Sequence, residues 1–174
     1  MKSIDFHKLY GLLDKVTPLL TDCGILCGKK CCTQWQQGVG VYLLPGEKEL
    51  FLDKTWCKVI DLQPEQQVFN GQNTGLLLCE GHCPREKRPL LCRTFPLAVL
   101  MDAKGELEIC LDDDGVLVCP LVRQGDMKLL QQDFIKSVHM VWKDLALQEP
   151  IQHYLHQYTQ RILAQREEPW RKLF

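Results

Sequence analysis

The stretch DCGILCGKKCC, from Asp22 to Cys32, holds four cysteines, the last two adjacent. No other feature narrows the possible folds so far. Thiols this dense form disulfides, ligate a metal or react, and each outcome needs a backbone that bends tightly around a small object. Gly24 and Gly28 inside the stretch supply that freedom. The chain has ten cysteines, at 23, 27, 31, 32, 57, 79, 83, 92, 110 and 119. In a reducing compartment, clustered cysteines more often ligate metals or react than form structural disulfides.

The disulfide reading needs an oxidising compartment, and the N-terminal MKSIDFHKLYGLLDKVTPLL carries no such address. Asp5, His7, Lys8, Asp14 and Lys15 interrupt its apolar runs, leaving no signal-peptide core of about 7–15 residues. We read it as an amphipathic helix and expect a cytoplasmic protein. No stretch approaches the roughly 20 apolar residues of a membrane span. The formal net charge of −1 gives no electrostatic reason to expect nucleic acid or an anionic membrane as partner. The basic clusters Lys29-Lys30 and Arg85 to Arg88 both sit beside cysteines, where they would offset thiolate charge.

At 174 residues, 45% hydrophobic and 25% charged, the chain suits one domain. The expected fold is α+β: short antiparallel strands and hairpins around a cysteine-rich metal site, an N-terminal helix and two C-terminal helices. The cysteine core spans about 20–120 and the helical part about 125–166. Apolar spacing predicts a helix from Ile4 to Val16, capped by Ser3 or Asp5. Strands are expected at 38–44, 56–62, 76–79 and 116–119, with a helix start at Pro45-Gly46-Glu47. Residues 80–96 read as an ordered loop and 97–110 as a hairpin with a D-A-K-G turn. Met127 to Leu145 keeps helical spacing, Pro150 interrupts it, and Ile151 to Leu163 resumes it. The tail is expected to be loose or to pack only through Trp170 and Phe174.

The first cysteine group is Cys23-x3-Cys27-x3-Cys31-Cys32. The second is Cys79-x3-Cys83 with Cys92 further on, and Cys119 is a late member. Spacings of two to four residues let one loop or helical turn present several sulfurs to one ion. Sulfur-rich ligand sets select zinc or the iron of a cluster. Neighbouring side chains diverge, so Cys31 and Cys32 are expected to serve two sites, or one to ligate while the other packs or hydrogen-bonds. Cys57 and Cys110 read as small buried hydrophobes.

These residues carry a resemblance. CGILCGKKCC, followed by CEGHCPREKRPLLCRTFP, is similar to the YkgJ-type cysteine-cluster family, described as a zinc- or iron-chelating domain. That family shows C-x2-C-x2-CC early and R-P-x-x-C-R-x-[FY]-P later. Arg88, Pro89, Cys92, Arg93, Phe95 and Pro96 match the second motif, while the first has x3 twice in place of x2. The resemblance spans residues 20–120 and implies eight ligands: Cys23, Cys27, Cys31, Cys32, Cys79, Cys83, Cys92 and Cys119. The family also resembles the cysteine-rich part of the flagellin lysine-N-methylases, thought to carry an iron–sulfur cluster. Methylase activity is not carried over: GVG at 38–40 precedes a strand, whereas a motif for S-adenosylmethionine would follow one.

Arg88 and Arg93 flank Cys92, where a guanidinium would lower thiol pKa values and donate to cluster sulfurs. The plainer alternative has them pairing with Glu86 or Glu80. His82 is an alternative ligand to Cys83. His153 and His156 have a metal spacing but no third partner and read as surface residues. Asp112-Asp113-Asp114-Gly115 lacks the alternating oxygens and terminal Glu of a calcium loop. No Gly-x-Ser-x-Gly, Walker loop or His-Glu-x-x-His occurs.

Three functions follow. The first is a protein holding an iron–sulfur cluster of the 4Fe–4S kind, or zinc, with a redox or accessory role to a protein partner. The second is a zinc-stapled structural or interaction domain. The third is a protein-modifying enzyme with an open coordination position at the centre.

Overall fold

The structure of the chain, a computed structural model, describes residues 4–33, 40–52, 54–70, 72, 74–79, 83 and 85–167. The described helices are α1 (Phe6–Leu13), α2 (Gly24–Cys27), α3 (Lys30–Thr33), α4 (Leu90–Thr94), α5 (Pro120–Gln124), α6 (Gln132–Leu145) and α7 (Glu149–Glu167). The strands are β1 (Val41–Tyr42), β2 (Cys57–Asp61), β3 (Gly75–Cys79), β4 (Leu97–Met101) and β5 (Leu107–Leu111). β3 lies between β1 and β2 in an antiparallel sheet, and β4 pairs with β5 as a hairpin. The fold is α+β, as expected.

The long helices form where the apolar spacing places them. The Asp5 carboxylate accepts from the Lys8 amide at 3.1 Å and caps α1; Ser3 lies outside the described residues. Phe6, Leu9 and Leu13 are buried, and this stripe packs against α6. α6 in turn buries Phe134, Val138, Val141, Trp142 and Leu145. Pro150 is the second residue of α7, where its missing N–H has no intrahelical acceptor to lose. α7 lies along β4 and buries Ile151, Leu155, Thr159 and Ile162. The Thr159 hydroxyl accepts from the Met101 amide at 2.9 Å, tying α7 to the end of that strand. β4 is buried along its whole length, which explains its unbroken apolar sequence. The D-A-K-G turn forms as read: Gly105 has φ +84°, and Asp102 accepts from the amides of Lys104 and Glu106 at 2.8 Å.

Four segments differ from expectation. Residues 80–96 are not all loop, since α4 forms at 90–94 behind a 3₁₀ turn at Arg85–Lys87. It is too short to show periodicity, and Pro89 precedes it in an extended conformation. VLVC at 116–119 is not a strand. Asp112 caps a 3₁₀ turn at Asp113–Leu117 by accepting from the Asp114 amide, and Pro120 opens α5. The 127–145 helix is interrupted: Leu130 and Gln131 are extended, and the Gln131 amide donates to the Pro18 carbonyl at 2.9 Å. Pro45-Gly46-Glu47 leads into a 3₁₀ turn at Lys48–Phe51, with no α-helix there.

The expected strand at 38–44 is seen as β1 alone; residues 38 and 39 lie outside the described residues. Gly40 explains how β1 approaches β3, because a Cβ there would stand 2.4 Å from the Leu77 carbonyl oxygen. Trp170 and Phe174 also lie outside the described residues.

Two apolar cores result. The larger joins α1, α6, the start of α7 and one face of the β4–β5 hairpin. The smaller consists of Leu43, Phe51, Cys57 and Leu77 under the three-stranded sheet. No helix among the described residues is long and apolar enough to cross a membrane.

Candidate metal centre

Cys23 precedes α2, and Gly28 follows it with φ +60°, a left-handed position that suits glycine. Lys29 continues in the same region at φ 59°. The reversal closes when the Lys29 amide donates to the Gly24 carbonyl at 3.0 Å. Two single-turn helices thus stand back to back, α2 carrying Cys27 and α3 carrying Cys31 and Cys32. Cys79 ends β3, Cys92 sits within α4, and Cys119 precedes α5. Cys83 and Cys119 are buried, while Cys23, Cys27, Cys31, Cys32, Cys79 and Cys92 are half-buried. No disulfide joins any of the ten cysteines.

The thiols from these separate segments act on one another. The Cys31 thiol hydrogen-bonds the Cys32 sulfur and keeps its proton well above the usual thiol range, with burial and the nearby Cys27 and Cys23 adding to the effect. Cys32 is lowered to about 6, by that hydrogen bond first and then by Arg88 and Lys29. Cys79 and Cys83 repeat the arrangement: Cys79 is pushed up, while Cys83 is lowered to about 7 by Cys79 and Arg88. Each pair therefore gives up one proton readily and shares the other. Cys92 is pushed up by burial and by Cys32 and Cys83. Cys23 is raised by burial and Asp22, with Cys119 and Cys27 contributing. The eight cysteines picked out by spacing and resemblance thus form one connected network.

Cys57 and Cys110 differ from each other. Cys57 is buried and pairs in register with Cys79. Cys110 lies apart, its sulfur 3.8 Å from an Arg166 nitrogen.

Adjacent Cys31 and Cys32 do not point apart: the Cys31 thiol hydrogen-bonds the Cys32 sulfur. Two pairs of sulfurs meet, Cys31 with Cys32 and Cys79 with Cys83; among the described residues, no three His, Cys, Asp or Glu side chains stand together as one ion's ligands. Thiols suit a soft metal in chemistry.

The arginines beside Cys92 part company. Arg88 faces the thiols. Burial pulls its pKa down, but Cys32, Cys83, Cys31 and Cys92 together outweigh burial and raise it. Its Nε also donates to the Cys83 carbonyl at 3.4 Å. Arg93 turns away and is 3% exposed. It donates to the Asp14 carboxylate at 2.5 Å and to the carbonyls of Glu86 and Arg88 at 2.5 and 2.9 Å. Its guanidinium lies 4.2 Å from the Tyr10 ring centre. Arg93 therefore clamps the 85–94 segment to α1 and leaves the sulfurs to Arg88.

Sequence reasoning missed Glu47 and Tyr10 and placed Arg85 only within a basic cluster beside the cysteines. Glu47 is fully buried. It accepts from the Tyr10 hydroxyl at 2.5 Å, the Leu90 amide at 2.7 Å and the Leu44 amide at 2.9 Å. Burial pushes its carboxyl up against these donors. By holding Leu90, it fixes the start of the helix that carries Cys92. Arg85 donates to the carbonyls of Val16 and Arg93 at 2.7 and 3.3 Å. An acidic residue directly after Pro45-Gly46 and two before Glu49 gives no local sign of such burial.

His82 and Glu80 lie outside the described residues. His153 and His156 are exposed on α7. The 112–114 carboxylates tie their turn to α7: Asp112 accepts from the Tyr158 hydroxyl, and Asp114 and Asp113 pair with Arg161 and Arg166.

A titration follows for metal-free, reduced protein. Alkylation by iodoacetamide, read peptide by peptide, is expected to rise through pH values of about 6 at Cys32 and about 7 at Cys83, below the ~8.5 of an ordinary thiol. Arg88→Gln removes a cation from both and is expected to move both midpoints up. Midpoints near the ordinary value in the unaltered chain would refute the electrostatic account.

No family model, curated protein or solved structure matches the chain.

Proposed function

We propose that this chain binds an iron–sulfur cluster of the 4Fe–4S kind, or zinc, through clustered cysteine thiolates, in a redox or accessory role to a protein partner. One observation carries the reading: eight cysteines drawn from three distant parts of the chain act on one another, with Arg88 among them. Eight thiols are twice the four that one mononuclear zinc or one four-iron cluster uses, enough for two such sites. When bound, such a centre supplies electron transfer or structural cross-linking. This chain's own part is to present sulfurs already partly ionised and to offset their charge with Arg88 and Lys29.

A zinc-stapled domain is the second reading. It is favoured by α2 and α3, single turns of which α2 exposes Ile25 and Leu26, with little core of their own, as metal-held loops have. The YkgJ-type resemblance rests on its motif residues, of which Cys92 lies in the network and Arg88 faces it.

Elemental analysis and a visible spectrum of anaerobically purified protein test this. Brown protein with about four iron and four sulfide per chain is expected. Colourless protein with about one or two zinc per chain would select the second reading. Protein that holds neither metal, and takes up neither on reconstitution, would overturn both.

A further inference from the structure

Cys57 is not one of the eight cysteines of the network, yet β2 sets it directly opposite Cys79 on β3. The kind of pair they form follows from the other edge of β3. The Leu43 amide donates to the Gly75 carbonyl at 2.9 Å, in continuation of the β1–β3 register. Gly75 therefore turns its backbone hydrogen-bonding groups towards β1. So does Leu77, whose carbonyl oxygen would stand 2.4 Å from a Cβ on Gly40. Every second residue of a strand faces the same way, so Leu76 and Leu78 bond to β2 and Cys79 does not. Cys57 and Cys79 thus form a non-hydrogen-bonded pair, the closer kind, with Cα atoms about 4.5 Å apart. A disulfide spans roughly 4.4–6.8 Å between Cα atoms. The two side chains share a face of the sheet, since Cys57 belongs to the smaller core and Cys79 packs against it.

We infer that a hydroperoxide joins Cys57 to Cys79 in a reversible cross-strand disulfide. Cys79 is half-buried and ends its strand, whereas Cys57 is 8% exposed, so the oxidant meets Cys79 first. The Cys79 thiolate attacks hydrogen peroxide, the O–O bond breaks, and a sulfenic acid and hydroxide result. The Cys57 sulfur then attacks the Cys79 sulfur. The S–S bond forms, the S–O bond breaks, and the leaving hydroxide takes the Cys57 proton as water. The sulfurs lose two electrons and the peroxide oxygens gain them. Cys83 is the competing partner, because it also touches Cys79. On the metal reading proposed above, Cys83 is committed to the centre and Cys57 is not, which directs the bond across the strands. The consequence rests on that same reading: the bond withdraws one ligand, so oxidation loosens the centre.

The test exposes the full chain, purified without oxygen and carrying whatever metal it holds, to hydrogen peroxide. Remaining thiols are then alkylated and the protein is digested without reductant. Peptide mass spectrometry is expected to find Cys57 linked to Cys79, and dithiothreitol to undo the link. Metal affinity, read against a competing chelator, is expected to fall at least tenfold on oxidation and to recover on reduction. In Cys57→Ala the Cys79 sulfur is expected to pass on to the sulfinic acid, which dithiothreitol does not reverse. Cys79 linked to another cysteine and never to Cys57, or oxidised without any link, would overturn the inference in the unaltered chain, however the variant folds. So would a link that leaves metal affinity unchanged. A chain that holds no metal yet forms the link would overturn the metal reading and leave the disulfide standing. A metal-loaded chain that forms no link would overturn this inference alone.

Discussion

Glu47→Ala is expected to lower the folding stability of the metal-free, reduced chain by about 3–5 kcal/mol, read by urea unfolding. The substitution leaves the Leu44 and Leu90 amides and the Tyr10 hydroxyl facing an emptied, fully buried space. Each orphaned donor costs about 1–3 kcal/mol; relief of the buried carboxyl and entering water keep the total below the sum. Tyr10→Phe removes one donor and leaves the others satisfied, so about 1 kcal/mol is expected. The pH dependence has a definite sign. Burial raises the folded Glu47 pKa, so the folded chain holds this proton more tightly than the unfolded one. This group's contribution therefore declines as pH rises from the ordinary glutamate value to the folded value, and the alanine variant lacks that decline. A loss under about 1 kcal/mol in Glu47→Ala would show that water already satisfies those donors.

Cys83→Ser is expected to weaken metal retention against a competing chelator by at least tenfold, whereas Cys110→Ser leaves it unchanged. Cys83 is 4% exposed and is influenced by Cys79, Arg88 and Cys32. A serine hydroxyl is a far poorer donor to soft metals than a thiolate, and even removal of an outer partner typically costs about 10–100-fold in affinity. Cys110 sits on β5 beside Arg166, outside the network. Equal losses in the two variants would remove the basis for assigning the site to the eight cysteines.

Much of this arrangement was legible from sequence, for local reasons. Cys23 to Cys32 and Cys79 to Cys92 are brought together largely by short spacings along the chain. α1, α6 and α7 declare themselves because each buries one stripe at helical period. What escaped depends on distant partners. α4 is only Leu90–Thr94 and is held by Glu47, more than forty residues earlier. The direction of Arg93 is set by two backbone carbonyls and by Asp14 on α1, none of which its own neighbours announce. VLVC has the composition of a strand, but the Asp112 cap and Pro120 divert it. The pairing of Cys31 with Cys32 depends on the side-chain rotamers within α3, which residue type alone does not give.

The division of the apolar interior into two unequal cores has a kinetic consequence. Cys79 belongs to a sheet resting on four buried side chains, whereas Cys119 is rooted in the much larger cluster. Fewer buried contacts mean a smaller opening free energy. Amide protons of β2 and β3 should therefore exchange with solvent faster than those of α6 and β4. The sulfurs are thus gripped from one firm side and one yielding side, and on the metal reading proposed above the Cys79 edge would be the door through which a centre enters and leaves.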